Sequence, residues 1–217
     1  MFETTLTLGQ ITQALSETFV MLSLSLLIGG LWGLGQGTLM VLIREQGVKP
    51  NRWLFRVLTI IINMLRSVPF IILLIAIIPL TRLLVGTSIG TIAAVVPLSL
   101  YIGPYIGRLV ETSLLEVDSG IIETAKSLDA STWQVVWHFL LPEARQSLVL
   151  NLTTATISLL GATTMAGSVG AGGIGDLAIA YGYQRFDSGA MIITVVILIV
   201  IVQVIQFVGE SIAKKLA

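Results

Sequence analysis

Of 217 residues, 55% are hydrophobic and only 11% charged, with a mean hydropathy of +0.96, against soluble averages of roughly 45–50% and 25%. Twelve basic residues balance twelve acidic ones, which excludes the basic excess that nucleic-acid binding requires. With no cysteine in the chain, disulfides, thiolate zinc sites and a cysteine nucleophile are excluded too.

A hydrocarbon core about 30 Å thick is crossed by roughly 20 helical residues. Runs of that length free of Asp, Glu, Lys and Arg occur at residues 18–43, 83–107, 146–175 and 188–209, and a fifth, 57–81, is interrupted only by Arg66. Such lengths suit helices rather than the short strands of a barrel. The predicted class is all-α: one polytopic membrane domain over residues 1–217, with about five transmembrane helices.

The first seventeen residues contain Glu3 and Glu17 and nothing basic. They lack the positive n-region of a signal peptide, so the first span is expected to remain in the mature protein. Gly29, Gly33 and Gly37 repeat at four-residue spacing in that span, as do Gly103 and Gly107 in the third. This spacing fits a close helix–helix seam, within the chain or across a dimer, though glycine is also simply common in membrane helices. Arg44, Lys49, Arg52 and Arg56 follow the first span; Arg108, Lys126 and Arg145 flank the longest polar connection; Lys214 and Lys215 close the chain. These nine residues mark the cytoplasmic side, leaving Arg82 and Arg185 for the other. The N-terminus is therefore expected outside and the C-terminus in the cytoplasm.

In the second span Arg66 is the one intramembrane charge. It reads either as functional or as a side chain snorkelling to the interface. Ser67 and Pro69 beside it are expected to bend or loosen the helix. Asn63 and Asn151 either line a path or bridge helices.

Residues 113–145 form the polar connection. Ile121, Ala125 and Leu128 make one stripe of a short helix. Ser131 and Gln134 have capping-box spacing, and Pro142 is expected to end the second short helix and open the next span. The apolar stripe either enters a partner's groove or packs on the chain's own span ends.

From Glu123 to Pro142 the segment resembles the cytoplasmic loop of binding-protein-dependent ABC importer permeases. Glu123, Thr124 and Ala125 stand at that family's Glu-Ala-Ala, Asp129 at its glycine, and Phe139, Leu141 and Pro142 at its Ile-x-Leu-Pro. Thr124, Phe139 and Asp129 depart from the pattern. Asp tolerates the left-handed turn that a glycine would take there, and could cap the second short helix. Further stretches are similar to methionine-importer permeases: Arg66-Ser67-Val68-Pro69-Phe70, Gly161-Ala162-Thr163-Thr164-Met165-Ala166-Gly167 and Tyr181-Gly182-Tyr183.

The resemblance implies a five-span permease that pairs as a homodimer, two copies of a separate cytoplasmic ATPase that binds ATP and Mg, and an extracytoplasmic lipoprotein delivering the amino acid. It implies a coupling role for Ser119, Ile121, Glu123, Thr124, Ala125, Leu128, Asp129, Phe139, Leu141 and Pro142. It implies a pore or gate role for Met165, Thr163, Thr164, Arg66, Ser67 and Pro69. A methionine is ordinarily packing, but a flexible thioether also suits a constriction that yields to a solute.

Gly170-x-Gly172-x-x-Gly175 matches the dinucleotide fingerprint in letters alone, because it follows a long apolar helix rather than a strand. It is expected to form a flexible glycine loop re-entering or closing the outer mouth. The chain has no Walker A sequence, so ATP hydrolysis falls to a partner, and no cofactor is expected here. His138 is the sole histidine and builds no metal site alone. An ion-coupled secondary transporter is the competing class; its buried proton-binding acid is missing from all five runs. An intramembrane enzyme would need a nucleophile–base or carboxylate pair that the runs also lack. Substrates other than methionine, such as another small amino acid, stay open.

Overall fold

A capping box starts the first helix: Thr7 Oγ1 accepts from the Gln10 N–H at 3.3 Å, and Gln10 Oε1 accepts from the Thr7 N–H at 2.9 Å. In the computed structural model, which describes residues 4–216, α1 therefore spans Leu8–Ile43 and begins well ahead of the charge-free run. Its extra turns are held by Ile11, Ala14 and Leu15 packing with Ile174 and Leu177. Glu3 and the side chain of Lys126 lie outside the described part of the chain.

The expected second span, 57–81, is corrected to a broken one. Helix α2 (Arg52–Ser67) and α3 (Phe70–Ala76) meet at 99°. Pro69 has no N–H to extend the ladder and holds the preceding Val68 extended, at φ −82° and ψ 123°. Helix α4 (Ile78–Val85) comes directly after. The charge-free run places the start of the third span at Leu83, yet α5 (Thr91–Leu115) starts later. Gly86 closes α4 and Gly90 opens α5, both at positive φ (82° and 99°), which glycine adopts without steric cost.

After α6 (Ser119–Ser127) come α7 (Thr132–Gln134), a π-helical segment (Val135–Leu140) and α8 (Leu141–Gly167), which together form one 36-residue helix, Thr132–Gly167. Pro142 does not end a helix, as the sequence suggests. The wider π ladder just before it accommodates a residue that cannot donate, and the helix runs on. Helix α9 (Gly173–Leu177) leads through a second π turn (Ala178–Tyr183) to α10 (Ser188–Leu216). Among the described residues four helices are long and apolar enough to cross a bilayer: α1, α5, Thr132–Gly167 and α10. The bent α2–α3 pair makes a broken fifth. The molecule is all-helical and polytopic.

Helix α5 is the central post. Leu98, Ile102, Ile106, Val110 and Leu114 recur every fourth residue and are buried in one cluster with Met21, Ala155 and Leu159. Against this same stripe α1 approaches closely through its glycines, Gly29 at Ile102, Gly33 at Ile106 and Gly37 at Val110. A Cβ on Gly33 would lie 2.7 Å from Gly103 O, and one on Gly37 would overlap Gly107 O and Val110. The repeated glycines thus form a seam within the chain. Asn151 bridges helices as well: its Nδ2 donates to Ser113 Oγ at 2.7 Å, joining α8 to α5.

Candidate functional site

The connection between α5 and α8 is built from local hydrogen bonds. Asp118 Oδ1 accepts from the Gly120 N–H at 2.7 Å and fixes the start of α6, where Ser119 is exposed. The helix ends in a Schellman-type closure, with the Ala130 N–H donating to Ala125 O at 3.1 Å and Asp129 left-handed at φ 50°. Ser131, not Asp129, caps α7: its Oγ accepts from Gln134 N–H at 3.3 Å while Gln134 Oε1 accepts from Ser131 N–H at 2.8 Å.

The expected apolar stripe divides. Ala125 is 0% exposed and joins Val135, Val136 and Leu140 in the main core; Ile122, Phe139 and Leu141 pack partly against it. Leu128 lies past the end of α6 and is 68% exposed. Ile121 is half-buried, while Glu123, Thr124 and Pro142 are exposed. One face of the segment is thus held by the chain's own span ends, and the opposite face is left open. Trp133 and Trp137 stand on the open face, ring centroids 5.1 Å apart, beside exposed His138. Beneath α6, towards the end of α1, lies a cleft of about 320 Å³. The segment is therefore anchored to the core through one face alone.

The residues implied for a pore fall on two elements, and no hydrogen bond joins them among the described residues. Arg66, Ser67 and Pro69 are exposed at the α2–α3 elbow, where Ser67 Oγ donates to Met64 O at 2.8 Å. Arg66 forms no ion pair among the described residues. Met165 lies in the last turn of α8, not deep within a span, because the helix stops at Gly167 although the apolar run continues. It is 51% exposed in the single chain. Thr164 is half-buried, its hydroxyl returned to Gly161 O at 2.7 Å. Thr163 points into the packing, 1% exposed and bonded to Leu160 O.

Around Met165 the open side of α8 carries Thr154, Ser158, Gly161 and Ser168, which the sequence reading missed. Their helical spacing on small or hydroxylated residues is the signal that would have found them. Thr154 and Ser168 return their hydroxyls to Leu150 O and Met165 O. Ser158 Oγ lies 3.3 Å from Tyr101 OH, and that ring meets Phe70 edge-on at 5.2 Å. The face is mildly polar, uncharged and largely self-satisfied, so it can let a solute pass without holding it.

The glycine loop is pinned rather than free, which corrects the expected flexible flap. Gly173 N–H donates to Glu17 Oε2 at 2.7 Å and Ile174 N–H to Thr18 Oγ1 at 2.9 Å. Gly90 N–H donates to Gly170 O at 2.9 Å, and Thr91 Oγ1 to Ala171 O at 3.1 Å. The chain after the loop packs back on α8: a Cβ on Gly175 would overlap Thr164, and one on Gly167 would overlap Asp176. The loop thereby ties α1 near its third turn and the start of α5 to the end of α8.

Residues 29–217 match the binding-protein-dependent transport system inner membrane components. Among individual proteins, the chain is 41% identical over 199 residues to the probable D-methionine transport system permease protein MetI of Vibrio cholerae, covering 92% of this chain and 88% of that protein. It is 37% identical to the methionine import system permease protein MetP of Bacillus subtilis, over 81% and 79% of the two chains. The fold superposes on a chain of the MetNI methionine ABC transporter, solved in an inward-facing conformation, with TM-score 0.95, 40% identity and 97% of each chain covered.

Proposed function

The chain belongs to the binding-protein-dependent transport system inner membrane components, and on that premise we propose that it forms the translocation path of an ATP-driven methionine importer. It is a multi-pass inner-membrane transport subunit of the ABC class, not an enzyme. In the proposed assembly two copies pair across their open faces, and two cytoplasmic ATPases, which bind ATP and Mg, dock below. An extracytoplasmic lipoprotein delivers the amino acid from above.

One observation carries this reading: the two-sided build of residues 113–145. Ala125 on the inside is fixed to the core that contains α5 and α8, while Glu123, Leu128, Trp133 and Trp137 on the outside are free for another polypeptide. A push on the outer face is therefore transmitted to the spans rather than absorbed in a loose loop. Closing and opening of the ATPases would drive a rigid-body exchange between inward-open and outward-open packings. The uncharged face of α8 offers the zwitterionic substrate no strong counter-ion, so selectivity rests with the delivery protein.

The test is reconstitution with the ATPase and the binding protein in vesicles. Glu123→Arg combined with Leu128→Asp is expected to abolish ATP-driven methionine uptake while the permease still inserts. Uptake driven by an ion gradient without ATP, or full uptake by the double variant, would overturn the proposal.

A further inference from the structure

At the end of the spans that carries the basic residues, a cavity of about 670 Å³ opens between the α1–α2 loop, the first turns of α2 and the last turns of α5. Its composition is unlike the rest of the molecule. Arg44, Arg52, Arg56 and Arg108 line it, together with Glu45 and Glu111, so a third of the chain's twelve Lys and Arg residues meet in one place.

Both carboxylates are already engaged. Glu45 Oε1 lies 2.9 Å from Arg52 Nε, and Glu111 Oε2 lies 2.7 Å from Arg108 Nη1, with Glu111 itself 5% exposed. Arg44 and Arg56 form no ion pair among the described residues, and Arg44 is half-buried. The cavity therefore carries two uncompensated positive charges. Gln46 and Thr59 add two uncharged polar groups, and Phe55, Ile60 and Leu115 form an apolar wall. Trp53, exposed on the first turn of α2, marks the level at which aromatic side chains sit among lipid headgroups.

We propose that this cavity is a binding site for one anionic phospholipid of the cytoplasmic leaflet, its phosphate held by Arg44 and Arg56 and its upper acyl chain lying on Phe55 and Ile60. A charged pocket with an apolar wall at the cytoplasmic end of helices has the chemistry of such a site. Guanidinium groups supply planar paired donors to phosphate oxygens. A soluble anion would gain the charge but leave the apolar wall wet, which favours the lipid. Arg44 and Leu115 also line the cleft beneath α6, so the bound lipid would abut the segment that receives the ATPase.

The experiment takes the full chain in complex with its ATPase, in mild detergent, with equal amounts of phosphatidylglycerol and phosphatidylcholine, and counts retained lipids by native mass spectrometry. Wild type is expected to retain phosphatidylglycerol selectively. Arg44→Gln with Arg56→Gln should reduce that retention roughly twenty-five-fold, about fivefold per cation. Arg44→Lys with Arg56→Lys should preserve the preference, and Lys214→Gln with Lys215→Gln, an equal charge loss elsewhere, should leave it unchanged. Equal retention of both lipids by wild type overturns the proposal without any variant, so it holds even if the glutamine variant fails to assemble. An equal loss in the Lys214/Lys215 control overturns it as well, by assigning the effect to net charge. Displacement of the phosphatidylglycerol by millimolar inorganic phosphate would make the site one for a small anion and overturn the lipid assignment; retention in phosphate supports it.

Discussion

Asp187 joins two ends of the molecule through one carboxylate. Its Oδ2 accepts from the Thr5 N–H and hydroxyl, both at 2.8 Å, and its Oδ1 accepts from the Ala190 N–H at 2.8 Å, capping α10. The Thr5 N–H foremost, then that of Ala190, hold its pKa down to about 2, against the opposing effect of burial. An Asp in an unfolded chain titrates near 3.9. The stabilisation is therefore complete above about pH 4 and is lost as pH falls through about 2. Protection of the N-terminal peptide from hydrogen exchange, corrected for intrinsic rates, should fall over that window. Asp187→Asn should show weak protection at every pH; a wild-type profile flat down to pH 2 would refute the latch. Nothing in the sequence announces it, because Thr5 and Asp187 are brought together only by the fold. Asp129 is the opposite case: its left-handed turn was legible, since glycine spacing and the tolerance of Asp for positive φ are both local properties.

Between elements the decisive contacts are backbone against backbone. In α1, Gly33 and Gly37 face α5 with no room for a Cβ, whereas Gly35 on the same helix meets nothing within 4 Å. Gly35→Ala should raise stability by up to about 1 kcal/mol through helix propensity. Gly37→Leu should destabilise by about 3 kcal/mol or more, because the overlap is with Gly107 carbonyl oxygen and cannot be relieved by a rotamer change. Thermal unfolding of the purified chain separates the two; equal effects would mean the seam is not tight. The all-helical class and the capped starts of the polar connection could be read from spacing and charge, because each depends on side chains close in sequence; the glycine spacing left the seam and its partner open, because α1 and α5 meet only in the fold. Span boundaries could not be read this way. Residues 83–90 are as apolar as a span, yet Gly86 and Gly90 break them away from α5. The early start of α1 is present in Thr7-x-x-Gln10, but a count of charge-free residues passes over it. Pro142 looks like a stop because a π register is invisible in the letters.

At the scale of the whole molecule, the fold separates a fixed half from an open one. Helices α1, α5 and the buried side of α8 form the main core, and the glycine loop staples them together at the end of α8. What is left uncovered is the other side of α8, with Met165 in its last turn. In the proposed dimer two such faces would oppose each other across the path, and the paired thioethers would form its narrowest uncharged constriction. A long flexible side chain seals such a gap by dispersion contacts and moves aside at small cost. Truncation should therefore act on the closed state, not on binding. Met165→Ala is expected to raise ATP-independent efflux of labelled methionine from vesicles on the order of tenfold, corresponding to about 1.4 kcal/mol removed from the barrier. Thr163→Val, changed at a buried residue whose hydroxyl serves its own backbone, should leave that leak untouched, although it alters the neighbouring turn. If both variants leak equally, the effect belongs to α8 stability and the constriction lies elsewhere. If neither leaks while ATP-driven uptake persists, Met165 does not close the path, and the seal must come from the glycine loop, whose α9 end Glu17 and Thr18 hold against α1.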